Sequence, residues 1–226
     1  MTLHSAAAAS TDIHRAGENF SQEALLKARA DTFRFLDEAA AAMKPGLTEE
    51  AAYEWLKRGL EASGFGKSWH RPYVRFGKNT LKGYGDPSEP GVVLGPDDIF
   101  YIDIGPVKDG YEGDAGLTGC TGTDPLKNAC ARDVKVIFER VKARWVQGGV
   151  TGIQLYELAA QDAQSLGWIL NLDINGHRLS DFPHAAYFKG NLAEVAVEAK
   201  PYAWVLEIQI RHPSEPFGGF YEDLLY

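Results

Sequence analysis

Four acidic residues stand where their charge can hold a cation. Asp103 and Asp114 lie in Asp98–Gly116 (DIFYIDIGPVKDGYEGDAG). There Ile99, Tyr101 and Asp103 alternate with Phe100, Ile102 and Ile104, the period-two pattern of a strand. Gly105, Pro106, Asp109 and Gly110 are turn formers, and a second short strand carries Tyr111 and Asp114. Folding this hairpin between Lys108 and Asp109 predicts that Asp103 faces Asp114. Near the end, Ala203–Ile210 (AWVLEIQI) reads as an apolar strand broken by one acid, Glu207. The turn-rich Arg211–Gly219 (RHPSEPFGG) leads to a last strand, Phe220–Tyr226 (FYEDLLY), with Glu222. Folding about Ser214–Glu215 predicts Glu207 opposite Glu222. Like charges facing across a ladder repel, and an apolar setting raises the cost. Such pairs need a cation between them or a shared proton. Together with a histidine they form an oxygen-rich set suited to Mn²⁺, Fe²⁺, Co²⁺ or Zn²⁺. Two divalent ions would neutralise the four carboxylates, an arrangement used for hydrolysis.

The elements that must carry these residues follow from pattern and punctuation. Residues 1–20 are small and polar, and are expected to form a loose arm. Ser21–Met43 has Leu25, Leu26, Phe33 and Leu36 at helical spacing and stops at Lys44-Pro45-Gly46. Thr48 caps a second helix, Glu49–Ser63, with acids in its first turn and Gly64 beyond its end. Trp69–Val74 is expected to be a strand, and Gly77–Pro90 a loop or hairpin rich in Gly and Pro. A long helix runs from Asp124-Pro125 to about Trp145, and Thr151 caps another to about Gly167. Trp168–Lys189 is mixed in character and carries His177 and His184. Each half therefore reads as two helices followed by strands that end in an acid pair. The expected fold class is α+β.

Composition narrows the function. The chain has 226 residues, enough for one large domain or two small halves. A net charge of −8 without a basic stripe argues against a nucleic-acid partner. The basic run Arg132–Arg144 has Val134, Ile137, Phe138 and Val141 at helical period and reads as a solvated helix face. Cys120 and Cys130 lack metal or redox spacing and read as free thiols of a reducing compartment, with a disulfide as the alternative. No stretch is long and apolar enough for a membrane span, and the first residues lack a signal-peptide pattern, so a cytoplasmic protein is expected.

At this point the motifs resemble those of the metal-dependent aminopeptidase, prolidase and creatinase family, with its duplicated "pita-bread" fold. Met43–Leu60 (MKPGLTEEAAYEWLKRGL) looks like that family's helix, Pro-Gly and helix start. Ile102–Asp114 (IDIGPVKDGYEGD) looks like its first two metal-ligand segments. Gly176-His177, with His184 seven residues on, resembles its histidine segment, and Leu206-Glu207 and Tyr221-Glu222-Asp223 resemble its last two. The resemblance runs from the first helix to Glu222 and implies a single pita-bread catalytic domain over 21–226. It implies that Asp114 and Glu222 bridge two metals, with Asp103 completing one shell and His177 and Glu207 the other. A hydroxide between the metals would attack a peptide or amide carbon, Glu207 would handle the proton, and His184 would stabilise the developing oxyanion. His70 and His212 have no place in this pattern and read as ordinary histidines.

The departures bear on substrate. The peptidases carry a further substrate-binding histidine after their Gly-x-Asn stretch, and counting from Gly77-Lys78-Asn79 its place is Tyr84. Arg178-Leu179-Ser180-Asp181 replaces a glycine-rich stretch, putting Arg178 near the expected pocket. Ile208 stands where the peptidases have proline, and Ala115-Gly116-Leu117 replace hydroxylated and basic residues. Arg211 either clamps a substrate carboxylate or is a solvent-facing turn residue. Three readings stand: a dinuclear hydrolase of small peptides or amides, a non-peptidase enzyme using one or two metals on a small carboxylate-bearing metabolite, and a silent binding protein. Trp69, Tyr73, Phe217 and Phe220 either support a homodimer or fill the core.

Overall fold

The computed structural model describes residues 13–183 and 188–226. Of the expected features, His184 and residues 1–12 of the arm lie outside the described residues. Among the described residues, four α-helices form where the caps demand them. Helix α1 (Gln22–Ala42) starts at Ser21, whose hydroxyl accepts from Ala24 N–H, and α2 (Glu49–Ala62) starts in the same way at Thr48. Helix α3 (Pro125–Gln147) is capped by Asp124 with Pro in its first turn, and α4 (Gly152–Ser165) opens on a Thr151/Gln154 capping box. No described helix is long and apolar enough to cross a membrane.

The strands are β1 (Tyr73–Phe76), β2 (Ile99–Ile104), β3 (Val107–Lys108), β4 (Tyr111–Glu112), β5 (Ala115–Cys120), β6 (Ile169–Asn171), β7 (Val205–Arg211) and β8 (Gly218–Leu224). Six of them make one antiparallel sheet in the order β1-β2-β5-β8-β7-β6, and β3 pairs with β4. This is the α+β pita-bread arrangement. The expected strand at Trp69–Val74 starts later, at Tyr73, because Pro72 has no N–H to give the ladder. The expected loop after it holds a short 3₁₀ turn, Gly77–Leu81.

The second hairpin has the expected register, Glu207 opposite Glu222. The first does not. It closes with Asp109 and Gly110 as its two central residues, at φ of 53° and 84°, so that Lys108 pairs with Tyr111. A two-residue turn with both central φ positive favours Asp-Gly. Asp103 therefore faces Gly116, not Asp114. A shift of two residues keeps a side chain on the same face of a sheet, so Asp114, two residues before Gly116, remains on the side of Asp103.

Each helix pair covers half of one sheet face. Leu56, Leu60, Phe35 and Leu36 of α1 and α2 pack with Phe100, Ile102 and Ile104 of β2. Val134, Ile137, Phe138, Leu155 and Ala159 of α3 and α4 pack with Leu206, Ile208 and Ile210 of β7. The alternate strand positions, Tyr101, Asp103, Glu207, Phe220 and Glu222, project to the other face, as the period of two requires. Tyr73, Phe217 and Phe220 are buried within this chain, so three of the four aromatics considered for a homodimer belong to the core.

Candidate metal centre

Across the four central strands one row of paired residues reads Asp103 on β2, Gly116 on β5, Glu222 on β8 and Glu207 on β7. Three carboxylates and a glycine thus lie side by side on the face away from the helices. The glycine is required there: a Cβ at Gly116 would run into the Phe220 ring, with its Cδ1 at 2.8 Å. Asp114 joins the row from the segment just before β5. The group opens on a cavity of about 290 Å³ lined also by Trp69, Tyr84, His177 and Lys189.

Asp114 is the hub. Its Oδ2 accepts from Trp69 Nε1 at 3.0 Å and lies 3.0 Å from His177 Nε2. Its Oδ1 lies 3.3 Å from His70 Nε2, which is 3.4 Å from Asp103 Oδ1. His177 Nε2 is 3.8 Å from Glu222 Oε1. Tyr156 of α4 ties the other side together, donating to the Glu207 carbonyl at 2.9 Å and accepting from Gly176 N–H beside His177. Two ligand groups share Asp114: His70, Asp103 and Asp114, and Asp114, His177 and Glu222.

The electrostatics are those of acids crowded out of water. Burial pushes Glu222 well above the carboxylate range, with Asp114 and Glu207 adding to it. Burial likewise lifts Glu207 to about 8 against the pull of His177, and Asp103 to about 6 against that of His70. Burial would raise Asp114 too, but hydrogen bonds with His177 and His70 win and hold it well below the usual range. Both imidazoles are lowered by burial yet raised further by the carboxylates, to about 9 each.

Asp103, Asp114, His177, Glu207 and Glu222 are thus brought together, and Tyr84 lines the same cavity with its ring 6.2 Å from that of His70. Two expected substrate contacts are elsewhere. Arg178 is fully buried, its guanidinium donates to the carbonyls of Leu179, Ala203 and Arg15, and it is not among the described residues that line the cavity. Arg211 is exposed at the end of β7, paired with Gly218, and is not among the cavity residues. His70 is the residue that sequence reasoning missed. It sits in Trp-His-Arg-Pro, with neither strand alternation nor helical period to point at it. Residues 66–69 are pinned along 105–107 by Gly66 N–H to Val107, Val107 N–H to Lys67 and Trp69 N–H to Gly105 carbonyls. That pairing brings the His70 ring to the end of β2. His212, in contrast, accepts the N–H groups of Ser214 and Glu215 in the β7–β8 turn, an ordinary role.

The residues fit a cation. Both oxygens of Glu222 are buried and accept no hydrogen bond among the described residues, although buried polar atoms are almost always paired. A mixed set of carboxylates and imidazole is what a divalent transition metal takes.

No curated protein matches the chain in sequence. The sequence profile described as metallopeptidase family M24 matches residues 23–200, a stretch that holds Asp103, Asp114 and His177 and ends before Glu207. Among solved structures, prolidase from Pyrococcus furiosus has a TM-score of 0.72 and 17% identity, covering 97% of this chain and 64% of its own. Methionine aminopeptidase from Thermotoga maritima has a TM-score of 0.68 and 15% identity, covering 86% of this chain and 87% of its own. X-Pro aminopeptidase from Thermotoga maritima has a TM-score of 0.68 and 18% identity, covering 90% of this chain and 58% of its own. At such identities the likeness is one of fold, and this chain spans less than two thirds of the prolidase and the X-Pro aminopeptidase.

Proposed function

The chain belongs to metallopeptidase family M24, and from that premise we propose that it is a metal-dependent peptidase that cleaves short peptides in the cavity beside Asp114. The observation that carries the reading is Glu222, a buried carboxylate in a row of acids whose two oxygens have no hydrogen-bond partner among the described residues. Asp114 and Glu222 would serve both of two divalent ions, with Asp103 helping to hold one and His177 and Glu207 the other. Such ions would supply Lewis acidity and lower the pKa of water at the site. Glu207 takes the proton of the attacking water and passes it to the departing amine. His184 is assigned, on the resemblance alone, the hydrogen bond to the developing oxyanion. Among the described residues lining the cavity, Lys189 is the one lysine or arginine. It faces the free carboxylate of a short substrate, and Tyr84 lies along the same opening.

The test is a panel of di- and tripeptides, with free and amidated C-termini, offered to protein reloaded with Mn²⁺, Fe²⁺, Co²⁺ or Zn²⁺. Cleavage that needs metal and is lost in Asp114→Ala is expected. Metal uptake without cleavage of any peptide would refute the peptidase and favour a different hydrolysis or lyase reaction on a small carboxylate-bearing metabolite. The specific observation on that side is Tyr84, a phenol where the resembling peptidases have a histidine.

A further inference from the structure

We infer that His70 is a further metal ligand, its Nε2 joining Asp103 and Asp114 around one cation as His177 Nε2 joins Asp114 and Glu222 around the other. The inference deepens the metallopeptidase reading and rests on it. His70 is outside the motifs that carry the family resemblance, so its place in the centre comes from this chain's geometry.

Three observations converge. The first is proximity: the ligand atoms of His70, Asp103 and Asp114 form a buried group within 4.8 Å of one another, as do those of Asp114, His177 and Glu222. The second is the tautomer. His70 Nδ1 lies 2.7 Å from the carbonyl oxygen of Arg71, and His177 Nδ1 lies 2.6 Å from that of Arg178. A carbonyl only accepts, so in both residues Nδ1 carries the proton; Nε2 donates to the acids while protonated and turns its lone pair to a cation among them once that proton is released. Metal-bound imidazoles are held in this way, by donating the second ring N–H to a carbonyl or carboxylate. The same device, a His-Arg pair with the arginine carbonyl as acceptor, thus serves both sides of Asp114. The third is the space made for the ring. A Cβ on Gly105 would lie 2.5 Å from His70 Cδ2 and collide with Trp69 Nε1, so only glycine lets the Trp69-His70 pair lie over the end of β2. Trp69, once there, donates to Asp114 Oδ2 and fixes the carboxylate that both cations share. Tyr73 stacks on the His70 ring at 5.8 Å between centroids and closes the other side.

With His70 included, each side of the centre has one imidazole beside its carboxylates. A nitrogen donor raises affinity for Co²⁺ and Zn²⁺ more than for Mn²⁺, which is content with oxygen. The consequence is a selective loss on removing His70.

The experiment compares wild type with His70→Gln by equilibrium dialysis and by the visible ligand-field spectrum of bound Co²⁺. Wild type is expected to take two ions. His70→Gln should keep one and bind the second at least about 10–100-fold more weakly, the loss that even an outer-shell partner causes, with a changed Co²⁺ spectrum and a smaller loss for Mn²⁺. A measurement on the unmodified protein covers the case in which the variant does not fold: ¹⁵N-histidine spectra with Zn²⁺, in which two Nε2 resonances, those of His70 and His177, should shift on loading. Two ions bound unchanged by the variant, or a Zn²⁺ shift confined to His177, would overturn the inference and leave the metallopeptidase reading standing. Failure of wild type to bind any of these ions would overturn both.

Discussion

Replacing Glu222 by Gln should have opposite effects on stability with and without metal. Glu222 is 1% exposed and neither oxygen has a hydrogen-bond partner among the described residues. Burial, then Asp114, Glu207 and Asp103, push its pKa well above the ordinary 4.5. A carboxyl whose folded pKa is raised binds its proton more tightly in the native than in the unfolded state. Its cost is therefore absent below about pH 4.5 and grows with pH, by about 1.4 kcal/mol per unit, until the folded pKa is passed. At pH 7 that sets a ceiling of roughly 3 kcal/mol, and leaving a buried polar group unpaired gives a similar figure of about 1–3 kcal/mol. Gln keeps the shape, carries no charge and can donate to the acids beside it. In chelator at pH 7 the variant should be more stable than wild type by about 1–3 kcal/mol, or about 2–12 °C in Tm at this chain length. With metal the order should reverse. A ligand at a hundredfold excess over its Kd adds about 2.7 kcal/mol to wild type, and the variant forfeits most of this by losing a shared ligand. Differential scanning calorimetry at pH 5, 7 and 8, with chelator and with Co²⁺, measures all of it. A variant less stable than wild type in chelator, with its metal-induced shift intact, would refute the assignment of Glu222 as a carboxylate waiting for a cation.

Gly116→Ala should cost about 1–3 kcal/mol through overpacking, because the new methyl meets the Phe220 ring with no room behind it; thermal melts in chelator isolate this from metal loss, and an unchanged Tm would disprove the close approach. Arg178→Met should lower Tm by about 6–12 °C, from roughly 3 kcal/mol of lost charged hydrogen bonds to backbone carbonyls, with metal stoichiometry unchanged. A normal Tm with a raised KM would instead return Arg178 to the substrate. His14, whose pKa is lowered to about 4 by burial and then by Lys200 and Arg178, accepts from Trp204 Nε1. The unfolded chain therefore binds the extra proton between about pH 6.5 and 4, and stability falls as pH drops through that window. His14→Gln should flatten the Tm–pH curve there, and identical curves would dismiss the contribution.

Most of the elements were legible because local chemistry and global fold agree. Ser21, Thr48, Asp124-Pro125 and Thr151 each mark a helix start that the structure uses, and the β7–β8 register follows from its turn. The β2–β5 register was missed for a local reason: Asp109-Gly110 is the Asp-Gly pair of a two-residue turn, and centring the fold one residue too early displaced the pairing by two. The acids were still legible as a group, since period-two alternation survives that error. Arg178 misled because a sequence shows a cation near a site but not which way its guanidinium points, and here three carbonyls claim it. His70 was hidden for the opposite reason. Its place depends on residues 66–69 lying along 105–107 and on the bare backbone of Gly105, both tertiary facts that no spacing in the sequence encodes.

The row Asp103, Gly116, Glu222 and Glu207 also explains why the chain keeps a costly arrangement. Apolar side chains at these positions would extend the small cluster of Tyr73, Tyr101, Ile174 and Phe220 on the same face, and replacing buried charges by well-packed apolar groups is often neutral or stabilising. Fold stability therefore gives no reason for three facing acids, and the neighbouring residues are arranged to hold the acids and not to relieve them. Trp69 fixes Asp114, Tyr156 fixes the backbone of Glu207 beside that of His177, and Gly105 and Gly116 leave the space that a side chain would take. Because both oxygens of Glu222 are buried without a hydrogen-bond partner among the described residues, the balance between cost and use is sharpest at that residue. Its substitution separates a centre built for a cation from a set of acids tolerated by the fold.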